Sequence, residues 1–198
     1  KTLLASLSAS GKTVYQIPAG GSNAIGALGY SHCLSELVAQ APFKLSQIVH
    51  ASASAGTQAG LVFANAVEHY NIDILGINVF HPDPESLRQR INGLYDSMSE
   101  RFNNARAPKE PTIDINHAYF GSAYGQPTEA AKDAIRMFAE SEGLLLDPVY
   151  SGKAAAGLID QITLGNFDQH ENVVFIHTGG AASLSAYNNE FLDGWRTV

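Results

Sequence analysis

The chain has 198 residues, 45% of them hydrophobic and 16% charged, with glycine at 18 positions, which is enough apolar material for one buried core and excludes a disordered or coiled-coil chain. A net charge of −7 excludes the broad basic footprint that non-specific nucleic-acid binding needs. No apolar run approaches the roughly 20 residues of a membrane span, no signal-peptide pattern opens the chain, and the single cysteine, Cys33, excludes an internal disulfide and fits a reducing cytoplasm.

In chain order, 1–10 reads as the tail of a helix that leads through Gly11 into a strand at Val14 to Ile17; Lys1 is not an initiator methionine, so a segment upstream is expected. A helix follows over Ile25 to Gln40, then a strand at Ile48 to Ala51, a helix over Gln58 to His69, a strand at Ile74 to Phe80 and a helix over Pro84 to Phe102. The Pro-containing stretch Asn103 to Pro111 reads as an exposed connection. Beyond it come a strand at Ile113 to Ile115, a helix over Thr128 to Glu142 with Thr128 as its N-cap, a helix over Ser151 to Leu164 and a strand over Asn172 to His177. The continuously apolar Val173-Val174-Phe175-Ile176 predicts a strand covered on both faces. This alternation is the rhythm of an α/β fold with a parallel sheet.

Three small-residue turns, Ala19 to Asn23, Ser52 to Thr57 and His177 to Ala181, fall at the C-terminal ends of the predicted strands, the edge where open α/β sheets bind ligands. The middle one, Ser52-Ala53-Ser54-Ala55-Gly56-Thr57, stands between strand and helix. Small residues let a ligand approach the main chain, and the first N–H groups of a helix have no internal partner, so this turn suits an anionic phosphate. A plain structural turn fits the same residues. Nucleotide, flavin and other phosphorylated cofactors all remain open.

Four blocks taken together narrow the choice: Ile17-Pro18-Ala19-Gly20-Gly21-Ser22-Asn23-Ala24-Ile25-Gly26-Ala27-Leu28-Gly29-Tyr30, Ala53-Ser54-Ala55-Gly56-Thr57-Gln58-Ala59-Gly60-Leu61, Glu142-Gly143-Leu144-Leu145-Leu146-Asp147-Pro148-Val149-Tyr150-Ser151-Gly152-Lys153 and Phe175-Ile176-His177-Thr178-Gly179-Gly180. In this order they resemble the D-cysteine desulfhydrase and 1-aminocyclopropane-1-carboxylate deaminase family, from about Tyr15 to Tyr187. The resemblance implies a three-layer parallel sheet with flanking helices, the tryptophan synthase β-like fold type II of pyridoxal-phosphate enzymes. It implies that residues 1–198 form most of the larger, cofactor-binding domain of a two-domain enzyme, with the N-terminal segment and most of the small domain absent.

The same resemblance assigns Ala53, Ser54, Ala55, Gly56 and Thr57 to the phosphate of pyridoxal 5'-phosphate, Tyr150 to the neighbourhood of ring and substrate, and Ser151 and Thr178 to the pyridine nitrogen. A neutral hydroxyl there hydrogen-bonds the nitrogen without holding a proton on it. The family's deaminases carry a glutamate after this tyrosine and a leucine where Thr178 stands, so Ser151 and Thr178 point toward β-elimination from a small sulfur-containing amino acid. D-cysteine is the first choice of substrate, with L-cysteate, suggested by the His81-Pro82 context, 1-aminocyclopropane-1-carboxylate, and a non-catalytic cofactor- or phosphate-binding role as alternatives. A homodimer is implied.

The family's Schiff-base lysine block, Asn-Lys-(Thr/Leu)-Arg-Lys, and its Ser-Asn-His block do not occur in the chain. Lys153 follows Tyr150 but matches a different family lysine, so a structural or substrate-neighbouring role is expected of it; Lys12, Lys44, Lys109 and Lys132 read as solvated charges. Tyr124, in Ala123-Tyr124-Gly125-Gln126-Pro127, is a candidate substrate contact on a loop resembling the family's closing loop. Asp147 reads as a turn cap or an acid/base residue, Ser22 and Asn23 as ligand contacts or a helix cap, His177 as a strand-end residue, and Cys33 as a buried spectator. His50, His69, His81, His117 and His170 have no metal-site spacing, and no metal is expected.

Overall fold

The computed structural model describes residues 2–102, 107–169 and 171–192. Among them, four strands form one parallel sheet: β1 (Gln47–Ser52), β2 (Asp73–Asn78), β3 (Asp114–Asn116) and β4 (Val173–Ile176), in the order β3-β2-β1-β4. The helices are α1 (Thr2–Ala9), α2 (Ala24–Gln40), α3 (Gly56–Glu68), α4 (Pro84–Arg101), α5 (Glu129–Glu142), α6 (Ser151–Thr163) and α7 (Asn189–Leu192), with 3-10 turns at Ala19–Gly21 and Ala181–Tyr187.

The pleat sends alternate residues of each strand to opposite faces, and both faces find apolar cover. Ile48, Ile74 and Ile115 pack with Leu34 of α2, Leu61 of α3 and Leu87, Ile91, Tyr95 and Met98 of α4. Val49, Ala51, Leu75 and Ile77 pack with Ala154 and Leu158 of α6, beyond which α5 adds Ala134 and Ile135. The result is the three-layer α/β architecture that the sequence predicts. Local chemistry sets the helix starts: Asn23 Oδ1 accepts from Gly26 N at 2.8 Å, Asp83 accepts from the amides of Glu85 and Ser86 ahead of Pro84, and Thr128 Oγ1 accepts from Ala131 N at 3.1 Å.

Three expectations are corrected. Val14 to Ile17 is not a strand; Tyr15 and Ile17 are exposed, because β propensity makes a strand only where a neighbour offers its ladder, and no described strand pairs with this stretch. All four β4 residues are half-buried, since β4 lies at the edge of the four described strands and β1 is fully covered between β2 and β4. Cys33 is only half-buried, and burial, with Glu36 beside it, pushes its thiol pKa up, away from nucleophilic character. Lys1, His170 and part of the Asn103 to Pro111 connection lie outside the described residues.

Candidate active site

The sheet delivers β1 and its turn to a cavity of about 550 Å³ at the C-terminal strand edge, lined by Ala19, Gly20, Ala51 to Ala55, Thr57, Phe80, Arg90, Tyr124, Tyr150 and Thr178 to Gly180. Seven of the nine predicted site residues are in this wall: Ala53, Ser54, Ala55, Thr57, Tyr124, Tyr150 and Thr178. Gly56 begins α3 between wall residues. Ser151 is not in the wall. It is 1% exposed, and its hydroxyl donates to Asp147 Oδ1 at 2.6 Å and accepts from Asp147 N at 2.8 Å. A hydroxyl spent on both sides this way has nothing left for a ring nitrogen, which corrects the assignment of Ser151.

Two helix N-termini meet at the cavity, and they differ. That of α6 is filled from within: the buried Asp147 carboxylate accepts from the amides of Val149, Tyr150 and Ser151, each at 2.8 Å. Asp147 is therefore the turn cap. That of α3 has no side-chain cap; its N-cap is Ala55, and the amides of Gly56 and Thr57 meet no acceptor among the described residues. Ala55 stands at φ +77°, a left-handed conformation that costs a non-glycine residue roughly 1–2 kcal/mol. The strain aims the first amides of α3 at the cavity. Such a terminus, with about half a positive charge, is a place for an anion from a ligand.

Glycine makes the cradle possible. A Cβ on Gly56 would stand 2.7 Å from Ser22 Oγ, so only glycine lets Ser22 donate to Ser54 Oγ at 2.7 Å, an arrangement that leaves the Ser54 hydrogen free. Asn23 serves as the α2 cap instead. Ser52, 1% exposed at the end of β1, has a hydroxyl with no partner among the described residues although it belongs to the cavity wall. Opposite, Gly180 at φ +101° approaches Asp147 so closely that a Cβ would come within 2.6 Å of its Cγ. The cap of α6 thereby seats the turn that carries Thr178. His177 is exposed, with Nδ1 accepting weakly from Gly179 N at 3.4 Å.

Aromatic side chains close the remaining side. The Tyr124 and Tyr150 hydroxyls are hydrogen-bonded to each other, and Phe80 meets the Tyr124 ring edge-on at 4.7 Å. Burial first, then the contact with Tyr124, pushes the Tyr150 pKa up to about 12, so its phenol keeps its proton at neutral pH. The Tyr124 loop is pinned by Lys153, whose buried Nζ donates to Phe120 O at 2.6 Å, and by Tyr187, whose hydroxyl donates to Gly125 O at 2.9 Å. Burial lowers the Lys153 pKa, and the residue is structural here. Phe80 is held in turn by Asn78, which accepts from the amides of Phe80 and His81, and by His81 Nε2, which donates to Ala53 O at 3.0 Å.

Sequence reasoning misses Phe80 and Arg90, and it places Ser52 in the ligand turn without giving it a site role. Phe80 lies two residues past the end of β2 and Ser52 ends β1, both at the ligand edge, and that position was the available signal. Arg90 lies mid-helix in α4, and nothing in its surroundings along the chain marks it. Among the described residues no group of three or more His, Cys, Asp or Glu could hold a metal ion.

The donors fit pyridoxal phosphate: an uncapped helix start with two hydroxyls for the phosphate, and an aromatic-walled cavity with a neutral hydroxyl beyond it. Comparison with known proteins agrees. The sequence model of the family described as "Pyridoxal-phosphate dependent enzyme" matches residues 1–179. D-cysteine desulfhydrase of Salmonella typhi is 39% identical over 194 residues, 95% of this chain and 57% of that protein. That of Klebsiella pneumoniae (strain 342) is 38% identical over 184 residues, 92% of this chain and 55% of that protein. The chain thus spans little more than half the length of these curated relatives. The crystal structure of an ACC deaminase homologue superposes with a TM-score of 0.84 at 33% identity, covering 94% of this chain and 55% of that one. A fungal L-serine ammonia-lyase from Rhizomucor miehei shares the fold alone, with a TM-score of 0.54 at 17% identity over 86% of this chain and 58% of that one. The chain belongs to the pyridoxal-phosphate dependent enzyme family.

Proposed function

We propose that this chain is the cofactor-holding part of a lyase that removes the Cβ substituent of a small sulfur-containing amino acid, with D-cysteine as substrate and pyruvate, hydrogen sulfide and ammonia as products, one water being consumed. The observation that carries the reading is the uncapped N-terminus of α3 sharing one cavity with Tyr150 and Thr178. The amides of Gly56 and Thr57 and the hydroxyls of Ser54 and Thr57 hold the phosphate, and Thr178 is the partner of the pyridine nitrogen. When bound, pyridoxal phosphate supplies the electron sink for loss of a Cα proton and departure of the Cβ group. Tyr150 Oη keeps its proton to about pH 12 and delivers it as a hydrogen-bond donor or general acid, with Tyr124 as its relay toward solvent. Phe80 and Tyr124 form the aromatic side of the cavity against which the bound ligand lies. A cytoplasmic homodimer belongs to the same proposal; among the described residues no helix is long and apolar enough to cross a membrane.

The test is made on the purified natural polypeptide. Pyridoxal phosphate binding, followed by visible absorbance, together with pyruvate and sulfide release from D-cysteine, is the expected result, and a folded protein with neither overturns the proposal. L-cysteate and 1-aminocyclopropane-1-carboxylate, offered in parallel, decide the substrate. A second reading is a cofactor-binding homologue without turnover. Borohydride reduction and peptide mapping separate the two: a cofactor-modified lysine supports the lyase, and binding with no modified lysine supports the second reading.

A further inference from the structure

Among the described residues, Arg90 is the only formally charged side chain in the wall of the cavity of about 550 Å³. It is exposed on α4, between the buried Leu87 and Ile91, and it forms no ion pair or hydrogen bond with any described residue. Arg90 also lines a smaller adjoining space of about 230 Å³ together with Ser22, Ser54, Gly93 and Leu94. Ser54 belongs to both spaces, whereas Tyr150 and Thr178 belong only to the larger. Arg90 therefore stands at the α3 end of the cavity, away from the ring end.

The donors already described at that end are neutral amides and hydroxyls, helped by about half a charge from the helix dipole. A phosphate monoester carries nearly two negative charges at neutral pH. The buried Ser52 hydroxyl, in the wall of the larger space, has no partner among the described residues. Guanidinium groups bind phosphate oxygens through paired N–H donors and cannot be deprotonated near neutrality.

We infer that Arg90 is the cationic arm of the phosphate site, reaching over Ser54 to pair with the phosphate of the bound cofactor and setting the preference for phosphorylated over unphosphorylated ligand. The inference rests on the proposed placement of pyridoxal phosphate and adds a residue to it. Being exposed, Arg90 acts through a water-screened pair, so its effect is moderate and sensitive to salt.

The experiment compares the natural polypeptide with Arg90→Gln and Arg90→Lys. Dissociation constants are measured for pyridoxal phosphate and unphosphorylated pyridoxal by equilibrium dialysis, and stabilisation by inorganic phosphate is measured by thermal melting. Arg90→Gln is expected to bind pyridoxal phosphate about fivefold more weakly, to respond less to inorganic phosphate, and to bind pyridoxal as the unaltered protein does. Its pyridoxal phosphate affinity should also depend less on ionic strength, and Arg90→Lys should recover part of the loss. Unchanged phosphate-dependent binding in Arg90→Gln overturns the inference, as does equal weakening for pyridoxal or an effect confined to the KM of the amino acid, which would put a substrate carboxylate at Arg90 instead. If the unaltered polypeptide responds to neither phosphate nor pyridoxal phosphate, the cradle reading itself fails. That outcome is distinct from failure of Arg90 alone.

Discussion

His50 ties the stability of the central strand to pH. The residue is fully buried in β1; Nδ1 faces Ala51 O at 2.9 Å and so carries the ring hydrogen, while Nε2 has no partner among the described residues. Burial lowers its pKa from 6.5 to about 4, the bond to Ala51 opposing only in part. Between those values the unfolded chain binds the proton and the folded chain refuses it. The stabilisation is complete above the unfolded value of 6.5 and is lost as pH falls toward 4. With these two values, moving from about pH 7.5 to about pH 5 removes about 2 kcal/mol of folding free energy. Urea unfolding at both pH values, for the unaltered protein and for His50→Gln, measures the effect. The substitution lowers stability at every pH, but without the titrating ring the variant's pH dependence should be flatter by about 2 kcal/mol. Parallel pH dependences in the two proteins would refute the reasoning, because the shared contribution of the carboxylates cancels in the comparison.

Three further outcomes follow from the site. In Gly56→Ala the new methyl stands 2.7 Å from Ser22 Oγ and displaces Ser22 from Ser54, so pyridoxal phosphate should bind at least about fivefold more weakly while the unfolding free energy measured in urea falls by no more than about 1 kcal/mol. Asp147→Asn sets an amide against four donors, three backbone N–H groups and the Ser151 hydroxyl; a loss of about 3 kcal/mol is expected in chemical unfolding. Tyr150→Phe removes the proton donor but little packing. Pyruvate release should fall about a hundredfold or more with cofactor affinity unchanged within about threefold.

Much of the fold is legible along the chain because its signals are local. Asn23, Asp83 and Thr128 each bond amides two or three residues ahead, so a cap chooses its helix start without help from the rest of the molecule. Strands β1 and β2 announce themselves by short apolar runs bounded by turns, and the small residues from Ala53 to Thr57 mark the cradle for the same reason: a tight strand-to-helix turn admits few side chains. The resemblance carried by four blocks then selects pyridoxal phosphate from ligands that spacing alone leaves open.

Other features exist only once the layers are assembled. Val14 to Ile17 has the residues of a strand and no described strand to pair with, and β4 has the residues of a covered strand but lies at the edge of the described strands. Ser22 donates to Ser54, 32 residues further on, and that contact between distant segments leaves the Ser54 hydrogen free at the cavity. Arg90 reaches the site only because α4 packs beside α3. Sequence by itself determined which segments fold and which turn could hold an anion, since helices, caps and turns are decided by neighbours along the chain. Only the tertiary structure decided which hydroxyls stay free, which strand is an edge and which cation faces the cradle, because those depend on packing between segments distant in sequence.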